Sequence, residues 1–108
     1  MEPLHDFIVS RELEVLLPDI VACLRPYEEK SELHFSEAMV ASLWFRWDGK
    51  KCFAHIGLWE SGDCDLDALD SDSGAPFGQR HKRCTSKDEF IVFFTEAIRC
   101  IYDHETIA

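Results

Sequence analysis

Residues 37–59, EAMVASLWFRWDGKKCFAHIGLW, decide the fold of this chain. Two segments in which apolar and polar residues alternate, residues 37–47 and 50–59, stand on either side of Asp48-Gly49. An Asp-Gly pair between such segments is a strong signal for a two-residue type I′ turn, because that turn needs positive φ at both central positions. The stretch therefore predicts an antiparallel hairpin with Asp48-Gly49 at its tip.

A two-residue turn at this place also fixes which residues face each other. One face of the predicted hairpin carries the pairs Trp47–Lys50, Phe45–Cys52, Leu43–Ala54, Ala41–Ile56 and Met39–Leu58. The other face carries Arg46–Lys51, Trp44–Phe53, Ser42–His55 and Val40–Gly57. Because side chains alternate between the two faces of a strand, and the first set is continuously apolar, we expect that set to face the core.

The residues before the hairpin predict a broken helical segment over the first 25 positions. An apolar stripe with helical spacing comprises Leu13, Leu16, Leu17, Ile20, Val21 and Leu24. Ser10 is predicted to cap the break, Pro18 to kink the second piece and Pro26 to end it. Residues 27–35 are interpreted as a polar connection that leads into the sheet.

The residues after the hairpin predict a short meander and a final helix. A turn over residues 60–63 precedes a third strand over residues 64–69, and a turn over residues 70–78 precedes a possible fourth strand over residues 79–85. Ser86 and Glu89 form a capping box, in which Glu89 is expected to reach back to the Ser86 amide. An apolar stripe then follows with helical spacing: Phe90, Ile91, Phe93, Phe94, Ala97, Ile98 and Ile101.

Together these elements predict an α+β fold and a single domain over residues 1–108. An antiparallel β-meander of three to four strands should carry the N-terminal and C-terminal helices packed on one face. We expect one buried core that contains, from strands and final helix together, Leu43, Phe45, Ile56, Leu58, Phe90, Phe94 and Ile98.

Composition narrows the class of function. The chain of 108 residues has a net charge of −10, which disfavours binding to nucleic acid because phosphates repel such a surface. No apolar run approaches the ~20 residues of a membrane span, and the first residues lack a signal peptide's basic and apolar regions. Five scattered cysteines fit reduced thiols, so we expect a cytoplasmic protein that has no contact with a membrane.

The charge is unevenly distributed along the chain. Residues 60–72 contain six acidic residues and no base, whereas residues 79–87 contain four bases and no acid. The acidic stretch over residues 60–72 either keeps strands and turns soluble or attracts a basic partner. We favour the second interpretation, because six acids exceed what the neighbouring bases can pair.

The sequence gives little support to catalysis or metal binding. Residues 70–74, DSDSG, begin like an EF-hand loop, but the third ligand is missing and glycine comes one position early. A zinc site would have to combine His55, Cys64, His81 and Cys84. Because His81 and Cys84 are three positions apart, they would point to opposite faces of a strand, and no matching pair lies elsewhere. No nucleophile signature or phosphate-binding glycine loop is present. We therefore expect no catalytic residue, no metal and no cofactor.

The face of the hairpin away from the predicted core is more informative. It carries Trp44, Phe53, His55 and Trp59, and the predicted register makes Trp44 and Phe53 direct neighbours. These aromatic residues either form a second small core under a helix or the C-terminal tail, or they bind a partner. The predicted partner-binding surface is Trp44, Phe53, His55 and Trp59 with a border of Glu60, Asp63, Asp65 and Asp67.

The segment Ile56-Gly57-Leu58-Trp59-Glu60-Ser61-Gly62, followed by Asp65-Leu66-Asp67 and a basic stretch, resembles small bacterial immunity proteins encoded beside polymorphic toxins. The similarity is greatest to the TriTu-type family, which partners an ADP-ribosyltransferase toxin directed at elongation factor Tu, and it covers roughly residues 36–102. The resemblance implies a cytosolic protein without catalytic residues that neutralises a cognate protein toxin in a stoichiometric complex.

Two other functions remain open from the residues alone. One is an acidic adaptor or secretion chaperone that holds a basic protein substrate without catalysis. The other is a small enzyme such as a hydrolase, which would need a deep pocket with titratable groups of shifted pKa.

Overall fold

The computed structural model describes residues 4–37 and 39–106, without the side chains of Glu28 and Glu29. The helices are α1 (His5–Val9), α2 (Glu12–Ile20) and α3 (Lys87–Glu105), and a kinked 3₁₀ segment spans Ala22–Lys30. The strands are β1 (Ser31–Ser36), β2 (Ser42–Asp48), β3 (Cys52–Trp59), β4 (Asp63–Asp70) and β5 (Arg80–Arg83).

The five strands form one antiparallel sheet in the order β1-β2-β3-β4-β5, which confirms the predicted α+β meander. The predicted count of three to four strands is wrong, because residues 31–36 pair with β2 and do not form a connection. In β1 the half-buried residues Ser31, Leu33 and Phe35 alternate with exposed residues. Only half of this edge strand needs to be apolar, so its composition resembles that of a loop.

The predicted register of the hairpin is wrong. Asp48 pairs with Phe53, and the Gly49 amide donates to the Cys52 carbonyl at 2.9 Å, so Lys50-Lys51 form the tip. Each residue of β2 therefore faces a residue four positions beyond the predicted one; Phe45, for example, faces Ile56. A shift by an even number keeps every side chain on its predicted face.

The Glu105 carboxylate explains this displaced tip. It accepts hydrogen bonds from the Lys50 amide at 3.0 Å, the Lys51 amide at 3.1 Å and the Trp47 indole Nε1 at 3.1 Å. Gly49 is not among the glycines with positive φ, so the expected type I′ turn does not form there. A Cβ on Gly49 would instead overlap the Glu105 carboxylate and the Trp47 ring, so the glycine is needed for close packing.

The predicted core face is confirmed along the paired part of the hairpin, where Leu43, Phe45, Trp47, Cys52, Ala54, Ile56 and Leu58 are all buried. Met39 is an exception: it is 96% exposed, because β2 begins only at Ser42. Residue 38, which belongs to the predicted first strand, lies outside the described residues.

The helices share one core with this inner face of the sheet. Phe94 meets Phe45 edge to face at 5.5 Å, and Phe7 of α1 meets Phe90 at 5.9 Å. The predicted core set is confirmed, since Leu43, Phe45, Ile56, Leu58, Phe90, Phe94 and Ile98 are each at most 1% exposed. Burial of this set is the main stabilising contribution to the fold.

The N-terminal helical region has the predicted break, with different details. Arg11 has a left-handed backbone (φ 60°) between α1 and α2, and the Ser10 hydroxyl donates to the Phe7 carbonyl. Ser10 therefore ends α1 and does not cap α2. Pro18 lies within α2, whereas Pro26 lies inside the 3₁₀ segment and not at the end of α2.

The C-terminal helix begins where the capping box predicts. The Ser86 hydroxyl accepts a hydrogen bond from the Glu89 amide at 3.2 Å. The Glu89 carboxylate, however, accepts from the amide and hydroxyl of Thr85, one residue before the predicted partner. Among the described residues, no helix has the length and apolar character that a membrane span requires.

Candidate partner-binding surface

The second face of the sheet is open. Its side chains alternate with the buried ones, and they are exposed or half-buried apart from Ser42 and Gly57, so no described helix covers this face. This contradicts the interpretation in which a described helix covers the outward aromatic residues as a second small core. The outward residues of the central strands are Trp44, Arg46, Phe53, His55, Gly57, Trp59, Asp63, Asp65, Asp67 and Leu69, and β5 adds His81 and Arg83.

Three aromatic rings form a cluster at the centre of the open face. The Trp44 ring lies 4.9 Å from the Trp59 ring and 6.3 Å from the His55 ring, at interplanar angles of 84° and 80°. The Trp44 ring crosses Gly57, where an added Cβ would come within 2.8 Å of it. Edge-to-face contacts of this kind are favourable and hold the rings in place before any partner arrives.

Phe53 does not belong to this cluster. It faces Asp48 and Leu69 across the strands, so the predicted contact with Trp44 is wrong for the same reason as the hairpin register. Phe53 and Leu69 are 46% and 43% exposed and line a shallow cavity of about 250 Å³ with His55, Asp67 and Gln79. The open face therefore has a second apolar area beside the three-ring cluster.

The predicted acidic residues of β4 form a row beside the aromatic cluster, and each has a different partner. Asp65 bonds to His81, Asp67 accepts from the side-chain Nε2 of Gln79 at 3.0 Å, and Asp63 accepts from the Ser61 hydroxyl at 2.8 Å. The Asp65 carboxylate raises the pKa of His81. Strand β5 thus neutralises part of the row.

Glu60 has a structural role. Its carboxylate accepts from the Ala41 amide at 3.2 Å and bonds to His5 Nδ1 at 2.8 Å, which fastens α1 to the end of the sheet. The bond to His5 lowers the pKa of Glu60 and raises that of His5. Glu60 lies at the border of the open face, as predicted, but its charge is already paired.

The structure does not bring together the four candidate zinc ligands. Cys64 and Cys84 are buried with their sulfur atoms 3.4 Å apart, whereas His55 and His81 lie on the open face. Within residues 4–37 and 39–106, no group of three or more metal-ligating side chains is arranged to hold an ion. Burial raises the pKa of Cys64 to about 12, so this thiol stays protonated and poorly nucleophilic at neutral pH.

The calcium-like stretch is a turn stabilised by its own first residue. The Asp70 carboxylate accepts from the amides of Asp72 and Ser73 and bonds to His104 at 2.7 Å. These bonds hold the pKa of Asp70 well below its usual range, and the bond to His104 has the largest effect. The aspartate is thus used to fix the turn and to tie it to α3.

The predicted partner-binding surface omits several residues of the open face, chiefly Leu69, Gln79 and His81. Leu69 was assigned to the third strand, and its outward position follows from the alternation with Ala68. His81 was considered only as a zinc ligand, although a fourth strand antiparallel to the acidic one places its side chain against Asp65. The signal for both residues was present in the strand alternation.

Comparison with known proteins gives a match to one family model. The model, described as Immunity protein TriTu, matches residues 6–100, a range that contains the whole sheet and most of the helical layer. The match therefore extends beyond the resemblance over residues 36–102 to the N-terminal helices. No curated protein matches the chain.

Proposed function

Because this chain belongs to the TriTu family of immunity proteins, we propose that it binds a cognate bacterial toxin and neutralises it in a stoichiometric complex. The protein acts in the cytoplasm and carries out no chemistry of its own. The toxin is the C-terminal part of a polymorphic toxin, encoded directly upstream, and has ADP-ribosyltransferase activity, as the family resemblance implies.

The observation that carries this proposal is the pair of half-buried tryptophans on a sheet face without a covering helix. Tryptophan is enriched among residues that dominate binding energy, and a ring already held in place loses little entropy on binding. Trp44 and Trp59 provide the desolvated centre of the interface, and Phe53 and His55 extend it towards the Lys50-Lys51 tip.

The acidic row supplies the second part of the interface. A surface that combines aromatic anchors with Asp63, Asp65 and Asp67 suits a basic partner, because complementary charge accelerates the diffusional encounter. Two routes to inhibition follow from this chemistry. The acidic row occupies the toxin cleft that receives the phosphates of a dinucleotide, or it covers the surface with which the toxin docks on its target.

The first test concerns the aromatic anchor. Trp59→Ala should increase the dissociation rate constant of the immunity protein–toxin complex about 30-fold, which corresponds to about 2 kcal/mol. Surface plasmon resonance with the immobilised toxin domain measures this rate. Val15→Ala is the matched control, because Val15 is 78% exposed on α2, away from the open face, and its removal should leave the rate unchanged.

The second test concerns the acidic row. The triple change Asp63→Asn, Asp65→Asn and Asp67→Asn should slow association at low salt and lose this effect as salt rises, because mobile ions screen exposed charges. Its thermal unfolding must show that the fold is intact. If the triple variant and Trp59→Ala both bind with unchanged kinetics and protect cells, the interface lies elsewhere on the molecule. Absence of any complex between the unchanged protein and the toxin contradicts the proposed function itself.

A further inference from the structure

A shallow cavity of about 550 Å³ lies at one end of the open face, next to the aromatic cluster. It is lined by Val40, Trp59, Glu60, Ser61, Asp63 and His81. Val40 is 48% exposed and gives the cavity an apolar wall, and the indole of Trp59 gives it an aromatic one. The remaining lining is polar and consists of two acids, one serine and one histidine.

The Trp59 ring is held in a defined position. Its contact with Trp44, at 4.9 Å between centroids and nearly perpendicular planes, joins it to the next strand. A π face of tryptophan attracts a cation placed over it, and tryptophan does so better than tyrosine or phenylalanine. The cavity therefore contains one half of a cation-binding site.

The Asp63 carboxylate supplies the other half. Its Oδ2 accepts the Ser61 hydroxyl, whereas its Oδ1 accepts no hydrogen bond from the described residues. His81 Nε2 lies 3.9 Å from Oδ1, and the other ring nitrogen of His81 is engaged by Asp65. Glu60, the second acid of the cavity, is already paired with His5.

We propose that this cavity binds an arginine side chain of the toxin, an inference that rests on the proposed function. A guanidinium is planar, so it stacks on the Trp59 indole while one of its N–H groups donates to Asp63 Oδ1. It is also less strongly hydrated than the ammonium of lysine, which lowers the cost of removing it from water. The net charge of −10 gives the surrounding field the sign that attracts this cation.

The proposal distinguishes Asp63 from the other two aspartates of the row. Asp65 is bonded to His81, and Asp67 lies in the other shallow cavity, beside Phe53 and Leu69. An acid that contacts the bound arginine mainly affects dissociation, whereas an acid at the rim mainly affects association. Asp63→Asn, which keeps the shape of the side chain, and Asp67→Asn therefore form a matched pair of variants.

The test measures both rate constants for the complex of each variant with the toxin domain, at low and high salt. We expect Asp63→Asn to increase the dissociation rate constant about tenfold or more at both salt concentrations. Asp67→Asn should change the dissociation rate constant less than about threefold and slow association only at low salt. Equal effects of the two variants on dissociation would overturn the proposal, although the complex itself would still support the proposed function.

A double-mutant cycle identifies the occupant of the cavity. Each surface arginine and each surface lysine of the toxin is changed to alanine and measured against both the unchanged protein and Asp63→Asn. One Arg→Ala change should weaken binding to the unchanged protein by about tenfold and have almost no effect on binding to Asp63→Asn. If no arginine couples to Asp63, or if a lysine couples instead, the arginine site is wrong. If the unchanged protein forms no complex, the proposed function fails, and this arginine site fails with it.

Discussion

Glu105 is an acidic side chain that is only 5% exposed, in the last turn of α3. Burying a carboxylate costs free energy unless hydrogen-bond donors surround it. Here the donors are the indole of Trp47 and the amides of Lys50 and Lys51, so one side chain satisfies the tip of the hairpin and joins it to the C-terminal helix. These partners lie more than 50 positions away in the chain, where no local pattern indicates them.

We expect Glu105→Gln to lower the free energy of unfolding by about 2–3 kcal/mol. Glutamine presents one acceptor oxygen and one NH₂ group to a site where every neighbour is a donor, so at least one buried donor loses its partner. Urea denaturation measures the loss. The matched control is Glu96→Gln on the same helix, where an exposed ion pair with Arg80 is removed and less than about 1 kcal/mol should be lost. Equal losses for the two variants would contradict the role assigned to Glu105.

At the scale of elements, α3 is the helix that packs most closely against the sheet. Its Phe94 is fully buried and contacts both Phe45 of β2 and Phe90 one turn earlier. Phe94→Ala should lower the free energy of unfolding by about 3–5 kcal/mol, through lost burial and the cavity left behind. Val92→Ala, at a position 55% exposed on the same helix, should cost less than about 1 kcal/mol in the same urea titration. If Phe94→Ala lowers the free energy of unfolding only slightly, Phe94 does not belong to the core.

Alternation along a strand predicts which face a residue occupies, and it did so correctly for the paired residues of the hairpin. It does not determine which residues face each other. That choice depends on the turn, and the turn depends on Glu105. The N-cap at Ser86 was predictable because its hydroxyl and the Glu89 amide lie three residues apart. Strand β1 was missed because an edge strand with one polar face has the composition of a loop.

The candidate surface was predictable to the same extent. The outward positions of Trp44, His55 and Trp59 follow from alternation alone, and the structure brings these three rings together. The contact between Trp44 and Phe53 required the correct register and was therefore predicted wrongly. The partners of the acidic residues, such as His81 for Asp65, required the pairing of β4 with β5.

At the scale of the whole molecule, histidine–carboxylate pairs join separate elements at three places within the part of the chain that the structure describes. His5 links α1 to Glu60, His81 links β5 to Asp65, and His104 links α3 to Asp70. The pKa of His5 and that of His81 are raised by their carboxylate partners, and the pKa of Glu60 is lowered. Each shift means that the folded protein favours the charged pair over the neutral groups, so its stability depends on pH.

The directions of these pKa shifts determine the pH range in which the protein is most stable. A histidine with a raised pKa contributes fully below its ordinary value of 6.5, and the contribution is lost as pH rises through the higher folded value. Glu60 contributes fully above its ordinary value of 4.5, and this is lost as pH falls through the lower folded value. Stability from these pairs is therefore greatest between these two ordinary values, and we expect the thermal midpoint to fall from about pH 6 to about pH 8.

Thermal unfolding across this range tests the origin of the decline. The double variant His5→Gln and His81→Gln should have a lower midpoint near pH 6 and a flatter profile up to about pH 8, because the groups whose charge favours folding are gone. His55→Gln is the matched control, since its ring forms no ion pair with the described residues and lies on the same open face as His81. It should keep the slope of the unchanged protein. A double variant with an unaltered slope would show that other groups, and not these two histidines, set the pH dependence of the fold.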